Sequence, residues 1–200
     1  TLFLYLRQLS ISFVETEHSI SYGAFLVKLL MRFAPDLYIQ SYIVARAATV
    51  LCRIIITEEP DYFDDIEQIR VLEDPEEKRR KVLEYAWNCG ILHDAGKINF
   101  LNMYAQAGRQ WFAEEYEMTQ MHTILGHVCL AECPSTRLYA SAALGHHSWY
   151  DGSRGYPDTY RRLECPERQM VDIISLLDWL ENVTDAQYLF TGMKMSYDEA

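Results

Sequence analysis

Asp74-Pro75-Glu76-Glu77-Lys78-Arg79-Arg80-Lys81-Val82-Leu83-Glu84-Tyr85-Ala86-Trp87-Asn88-Cys89-Gly90-Ile91-Leu92-His93-Asp94-Ala95-Gly96-Lys97 is the stretch from which the rest of the chain can be read. Asp74 is a cap, Pro75 is preorganised for a first helical turn, and Glu76 and Glu77 sit where the helix dipole favours acids. Val82, Tyr85, Ala86 and Cys89 then recur at helical spacing, so this helix turns one face to a core and ends at about Leu92-His93-Asp94. Two potential metal ligands thus fall at a helix end. Gly90 and Gly96 bracket them, so the backbone is free to turn both side chains the same way.

The pattern extends in both directions. From Leu2 to Ile56 the apolar residues keep helical spacing apart from a break at Ala34-Pro35-Asp36, which predicts two long helices, with Asp36 capping the second. Thr57 to Pro75 reads as an acidic surface connection with one short helix near Ile66 to Val71. Ala113 to Cys133, Leu138 to His147 and Gln169 to Thr184 read as helices, with Met193 to Ala200 starting another. An irregular stretch follows Gly96, and Trp149 to Pro166 reads as a loop. No segment alternates with period two between hairpin turns. The expected class is all-α.

Composition narrows the function. Two hundred residues, half of them hydrophobic and 24% charged, suit a globular unit with a sizeable core. A formal net charge of −11 argues against a surface for polymeric nucleic acid, which requires clustered Lys and Arg. The opening apolar run stops at Arg7, too short for a membrane span. Because the chain starts at Thr1, a segment of a longer polypeptide is expected. Cys52, Cys89, Cys129, Cys133 and Cys165 show no paired CxxC spacing and read as core thiols.

Five of the six histidines lie between residues 93 and 147. Imidazole and carboxylate together suit Fe, Mn and Zn, and a carboxylate such as Asp94 has two oxygens with which to bridge two ions. His146 and His147 follow Gly145 as His93-Asp94 precede Gly96.

These residues resemble a family. Ile91-Leu92-His93-Asp94-Ala95-Gly96-Lys97-Ile98 is similar to the signature of the HD superfamily of metal-dependent phosphohydrolases. His146-His147-Ser148-Trp149-Tyr150-Asp151-Gly152-Ser153-Arg154-Gly155-Tyr156-Pro157 resembles that of the HD-GYP phosphodiesterases. Met121-His122-Thr123-Ile124-Leu125-Gly126 resembles the element between them, and Ile174-Ser175-Leu176-Leu177-Asp178 the one that carries the last metal-binding aspartate. The resemblance runs from about residue 36 to the end. It implies an HD-type helical bundle over 36–200, with residues 1–35 as an added N-terminal helical segment.

It also implies His93, Asp94, His122, His146, His147 and Asp178 as ligands of two divalent ions, Fe or Mn, with Asp94 central to catalysis and Lys97 holding a substrate phosphate. Tyr156 would touch the substrate. The implied reaction is hydrolysis of cyclic di-GMP to the linear dinucleotide pGpG, and in some members to GMP, by attack of a metal-activated hydroxide. The setting implied is cytoplasmic, with room for a sensor domain elsewhere in the full-length protein and for a homodimer. Two other functions fit the same residues: hydrolysis of another cyclic dinucleotide or nucleotide, and a catalytically silent module that binds cyclic di-GMP or a partner protein.

The chain departs from the pattern in three places. Gln40 stands where the family's upstream helix carries a histidine, and Asp36 precedes it by one helical turn. His18, which shares a helix face with Glu15, is an alternative upstream ligand or else an exposed histidine. Arg154 is one residue more than the loop signature has; it either reaches a phosphate or a guanine edge or lengthens the loop. His127 matches no motif position and is expected in an outer shell or at the surface.

Overall fold

A computed structural model describes residues 21–104 and 111–184. His18, Glu15 and the expected helix over Met193 to Ala200 lie outside the described residues. Among those described there is no strand, only an isolated bridge between Ser148 and Gly155, and the protein is all-α. The helices are α1 (Tyr22–Phe33), α2 (Pro35–Glu58), α3 (Glu67–Arg70), α4 (Pro75–Leu92), α5 (Leu101–Tyr104), α6 (Ala113–Thr119), α7 (His122–Ala131), α8 (Ala140–Gly145) and α9 (Arg168–Thr184). Short 3-10 turns cover Ala95–Phe100, Arg137–Tyr139 and Arg162–Glu164.

The α2–α4 pair is the spine. Val44, Ala45, Ala48 and Cys52 of α2 meet Val82, Tyr85, Ala86 and Cys89 of α4, all buried, as the periodicity of α4 predicts. The small side chains on α2 let the two axes approach closely, and α9 closes over them with Met170, Ile173 and Ile174. Each large apolar side chain so buried contributes roughly 1.5–3 kcal/mol. Tyr85 adds a specific tie, its hydroxyl donating to the Leu138 carbonyl at 2.7 Å. α1 packs on α2, and its Tyr22 and Leu26 join the same core. By length and composition α2 could also cross a bilayer.

Asp74 caps α4 as read from sequence, accepting from the Glu76 and Glu77 amides at 3.3 Å each. Several boundaries differ from expectation. Ala34, not Asp36, is the N-cap of α2, with Pro35 in the first turn and Asp36 exposed. The continuous helix expected from Ala113 to Cys133 is broken at Gln120-Met121, because the Thr119 carbonyl bonds the His122 imidazole. The expected Leu138–His147 helix is a 3-10 turn followed by the short α8, which ends at Gly145 and leaves His146 and His147 beyond it. The stretch after Gly96 is wound as a 3-10 turn into α5. Of the cysteines, Cys52, Cys89 and Cys133 are buried, Cys129 and Cys165 partly so, and all are free thiols.

Candidate metal centre

Four chain segments deliver the expected ligands to one buried place. His93 caps the C-terminus of α4, and Asp94 follows at φ −94°, ψ 13°, outside regular helix, so both side chains face inward. His122 opens α7, His146 and His147 follow α8, and Asp178 projects from the middle of α9. His93, Asp94, His122, His146 and Asp178 are all buried.

Gly96 sets the spacing between the first two segments. A Cβ there would lie 1.9 Å from the His122 carbonyl oxygen and 2.6 Å from the Gly126 nitrogen, so only glycine lets the turn after Asp94 lie directly on α7. Gly155, at φ +95°, permits the loop to fold back on the His147 carbonyl. This brings Tyr156 over His147, ring centroids 4.7 Å apart. The Tyr156-Pro157 peptide is cis.

Hydrogen bonding fixes the imidazole tautomers. His93 Nδ1 meets the Gly90 carbonyl at 2.7 Å, His122 Nδ1 the Thr119 carbonyl at 2.6 Å, and His146 Nδ1 the Ala142 and Ala143 carbonyls at 3.1 Å each. A carbonyl only accepts, so each Nδ1 carries a proton and Nε2 is the nitrogen that each ring turns to the centre. His122 Nε2 and His146 Nε2 stand 3.3 Å apart, and they lie 3.3 and 3.6 Å from Asp94 Oδ1. That oxygen is buried and accepts no well-formed hydrogen bond among the described residues. Lone pairs brought together in this way repel one another unless a cation lies between them. The donor set therefore fits a divalent ion.

Two overlapping groups have their ligand atoms within 4.8 Å of one another: Asp94, His122, His146 and His147, and His93, His146 and Asp178. Each could hold an ion. His146 has one inward lone pair and can serve only one ion at a time. Asp94 can serve both, because Oδ1 faces His122 and His146 while Oδ2 lies 3.4 Å from His93. His93 Nε2 is also 3.3 Å from Asp178 Oδ1, and His147 Nδ1 is 3.8 Å from Asp178 Oδ2.

The electrostatics keep His122, His147 and both carboxylates in the forms that bind a cation. Burial lowers the pKa of His122 to about 3, so its ring is neutral. Burial and the adjacent His146 push His147 well down too. Burial opposes the charge on Asp94, but Lys97 and His93 outweigh it and hold the carboxyl far below the usual range. Asp178 is likewise lowered, its burial overcome by the His93 hydrogen bond and by His147. His93 is raised, because Asp94 and Asp178 more than offset its burial. Lys97 Nζ is 2.5 Å from Asp94 Oδ2, and that carboxylate, against the effect of burial, raises the lysine pKa.

Gln40 lies in this site, fully buried, rather than merely near it. Its Nε2 donates to Asn182 Oδ1 at 3.0 Å and to Asp178 Oδ1 at 3.4 Å, while Asn182 Nδ2 donates to Asp178 Oδ1 at 3.0 Å. Two amides therefore hold Oδ1 and turn Oδ2 toward His147. Sequence reading did not single out Asn182; its position four residues after Asp178 on one helix face was the available signal. His127 is outside the cluster, its Nδ1 tied to the Ala140 carbonyl at 3.1 Å. Arg154 is exposed, with its guanidinium 5.2 Å from the Trp149 ring centroid.

Part of the cluster forms the floor of a cavity of about 1090 Å³, with His93 and Asp94 behind it. Lys97, His122, His146, His147, Tyr156 and Asp178 line it, and its walls are aromatic, including Trp111, Trp149, Tyr150 and Trp179. A polar, cation-demanding floor under aromatic walls suits a ligand that carries both a phosphate and planar rings.

Over 77 residues the chain is 36% identical to a cyclic di-GMP phosphodiesterase of Thermotoga maritima, a match covering 38% of this chain and 21% of that protein. The chain thus spans about a fifth of the length of this relative. No protein-family model and no solved structure matches it.

Proposed function

We propose that this chain is a metal-dependent phosphodiesterase of the HD-GYP kind that hydrolyses cyclic di-GMP to pGpG, with GMP as a further product. The observation that carries the reading is the convergence of imidazole nitrogens and two carboxylates at the base of an aromatic cavity beside Lys97. The similarity to a cyclic di-GMP phosphodiesterase supports the choice of substrate. His93, Asp94, His122, His146, His147 and Asp178 would hold two ions, and Fe or Mn suits this mixture of imidazole and carboxylate. When bound, such ions supply a hydroxide nucleophile at neutral pH and neutralise charge on a phosphoryl oxygen.

The chain's own residues do the rest. Asp94, with Oδ1 toward His122 and His146 and Oδ2 toward His93, would contribute to the holding of both ions. Lys97, kept charged by Asp94, supplies a permanent positive charge at the cavity wall and positions a phosphate oxygen. Tyr156 lines the cavity as a neutral phenol, because burial raises its pKa, and is available as a hydrogen-bond donor to the substrate. Gln40 and Asn182 hold Asp178, and the aromatic walls offer faces on which a base can stack.

One observation favours a second reading, a silent module that binds cyclic di-GMP without hydrolysing it. Gln40 offers an amide where a histidine ligand was expected, which removes one donor from the set. Purified protein prepared with and without oxygen, its metal counted and its turnover of cyclic di-GMP followed with added Mn or Fe(II), distinguishes the two. Turnover with about two ions per chain supports the enzyme; tight nucleotide binding without turnover supports the silent module.

A further inference from the structure

Most aromatic rings around the cavity already have a partner. Tyr104 and Trp111 meet edge to face with centroids 5.1 Å apart, and Tyr156 lies against His147 at 4.7 Å. The rings of Trp149 and Tyr150 carry the guanidinium groups of Arg154 and Arg162, 5.2 and 4.1 Å from their centroids. Trp179 differs. Among the described residues no ring and no cation packs on its indole, although it lines the cavity and is 45% exposed.

A metal-site residue fixes its place. Trp179 follows Asp178 on α9, so their Cα atoms are about 3.8 Å apart and differ by about 1.5 Å along the helix axis. Asp178 belongs to the cavity floor, and its Oδ2 lies 3.8 Å from His147. One turn away on the same helix, Ser175, Leu176 and Val183 also line the cavity, so the indole is part of a wall that rises from the metal floor. The mount is rigid: α9 runs for 17 residues and buries Met170, Ile173 and Ile174 in the core. An apolar ring left wet in a concave wall gains free energy when a planar group covers it.

We infer that Trp179 is the stacking platform for the base of a nucleotide whose phosphate lies at the metal floor, an assignment that rests on the proposed phosphodiesterase reading and adds the residue that holds the base. In a nucleotide only the sugar separates phosphate from base, and Asp178 and Trp179 are adjacent on one helix, so a single nucleotide spans from one to the other. Every base has a π face, so an indole platform adds affinity for guanine and adenine alike. It holds the base without choosing it.

Calorimetric titration of the Mn-loaded protein with GMP, AMP and ribose 5-phosphate tests this. All three carry a sugar and a phosphate, and only the last lacks a base. The unaltered protein should bind either nucleotide about tenfold or more tighter than ribose 5-phosphate, as stacking of one base implies. Trp179→Ala should bring both nucleotides down to the level of ribose 5-phosphate while leaving the affinities for ribose 5-phosphate and for Mn in place, and Trp179→Phe should restore part of the preference. Full retention of the preference in Trp179→Ala overturns the inference. So does an equal weakening of all three ligands, or a loss of Mn affinity, which would make the indole structural only. Equal binding of the three by the unaltered protein refutes the platform and leaves the phosphodiesterase reading standing; binding of none of them refutes both.

Discussion

Gly96→Ala is the most informative single substitution, because it adds one methyl group where two ligand-bearing segments touch. The new Cβ would sit 1.9 Å from the His122 carbonyl oxygen and 2.7 Å from its carbon, against backbone that cannot rotate away. Relief of an ordinary carbon–oxygen contact requires the segments to part by more than an ångström. Overpacking of this kind costs about 3 kcal/mol, at the upper end of what core insertions show. The same movement carries His122 away from Asp94, now 3.3 Å distant, and opens the group that Asp94, His122, His146 and His147 form. Metal affinity should fall by at least about tenfold, as for changes that misplace a ligand.

Gly126→Ala is the control on the same interface. There the added Cβ meets the Gly96 nitrogen at 3.1 Å and Ala143 Cβ at 3.3 Å, and gains the helix preference of alanine, so a change within about 1 kcal/mol is expected. Urea denaturation of metal-free protein and titration with Mn read the two effects separately. If Gly96→Ala unfolds within about 1 kcal/mol of the unaltered protein and binds metal equally well, close approach at Gly96 is not what builds the site.

Other consequences are as specific. Asp94→Asn should abolish binding of both ions together with hydrolysis; a variant that keeps one ion at full affinity, counted by elemental analysis, contradicts the bridging role. Gln40→Ala and Asn182→Ala each remove one of the two amide donors to Asp178 Oδ1 and should weaken metal binding about tenfold with little loss of helix content, as for other outer-shell partners; unchanged metal titrations would remove the clamp. Acid should destabilise the metal-free fold through His122. Its folded pKa of about 3 lies below the ordinary value near 6.5, so the unfolded state binds the proton first and stability is lost as pH falls through that window. At pH 5 this amounts to about 2 kcal/mol. His122→Asn should therefore lose that much less stability than the unaltered protein between pH 7 and pH 5, and identical losses would show that His122 is not the group titrating.

Much of this was legible in the chain itself. The cap at Asp74, the periodicity of α4 and its end at His93-Asp94 are local properties, set by backbone dihedrals and by the side chains nearest in sequence. The histidine cluster was visible because ligand-type residues beside glycines and helix ends are recognisable one segment at a time. What the sequence did not reveal depends on contacts between segments remote from one another in the chain. Gln40 lies 138 residues from Asp178, and only the packing of α2 on α9 makes it a hydrogen-bond donor to that carboxylate. The breaks at Met121 and Gly145 likewise follow from imidazoles that need backbone carbonyls to fix their tautomers. Sequence thus determined which residues could bind a metal and where the principal helices run. Tertiary structure decided which lone pairs meet, because repulsion and hydrogen bonding act over a few ångströms, whatever the separation along the chain.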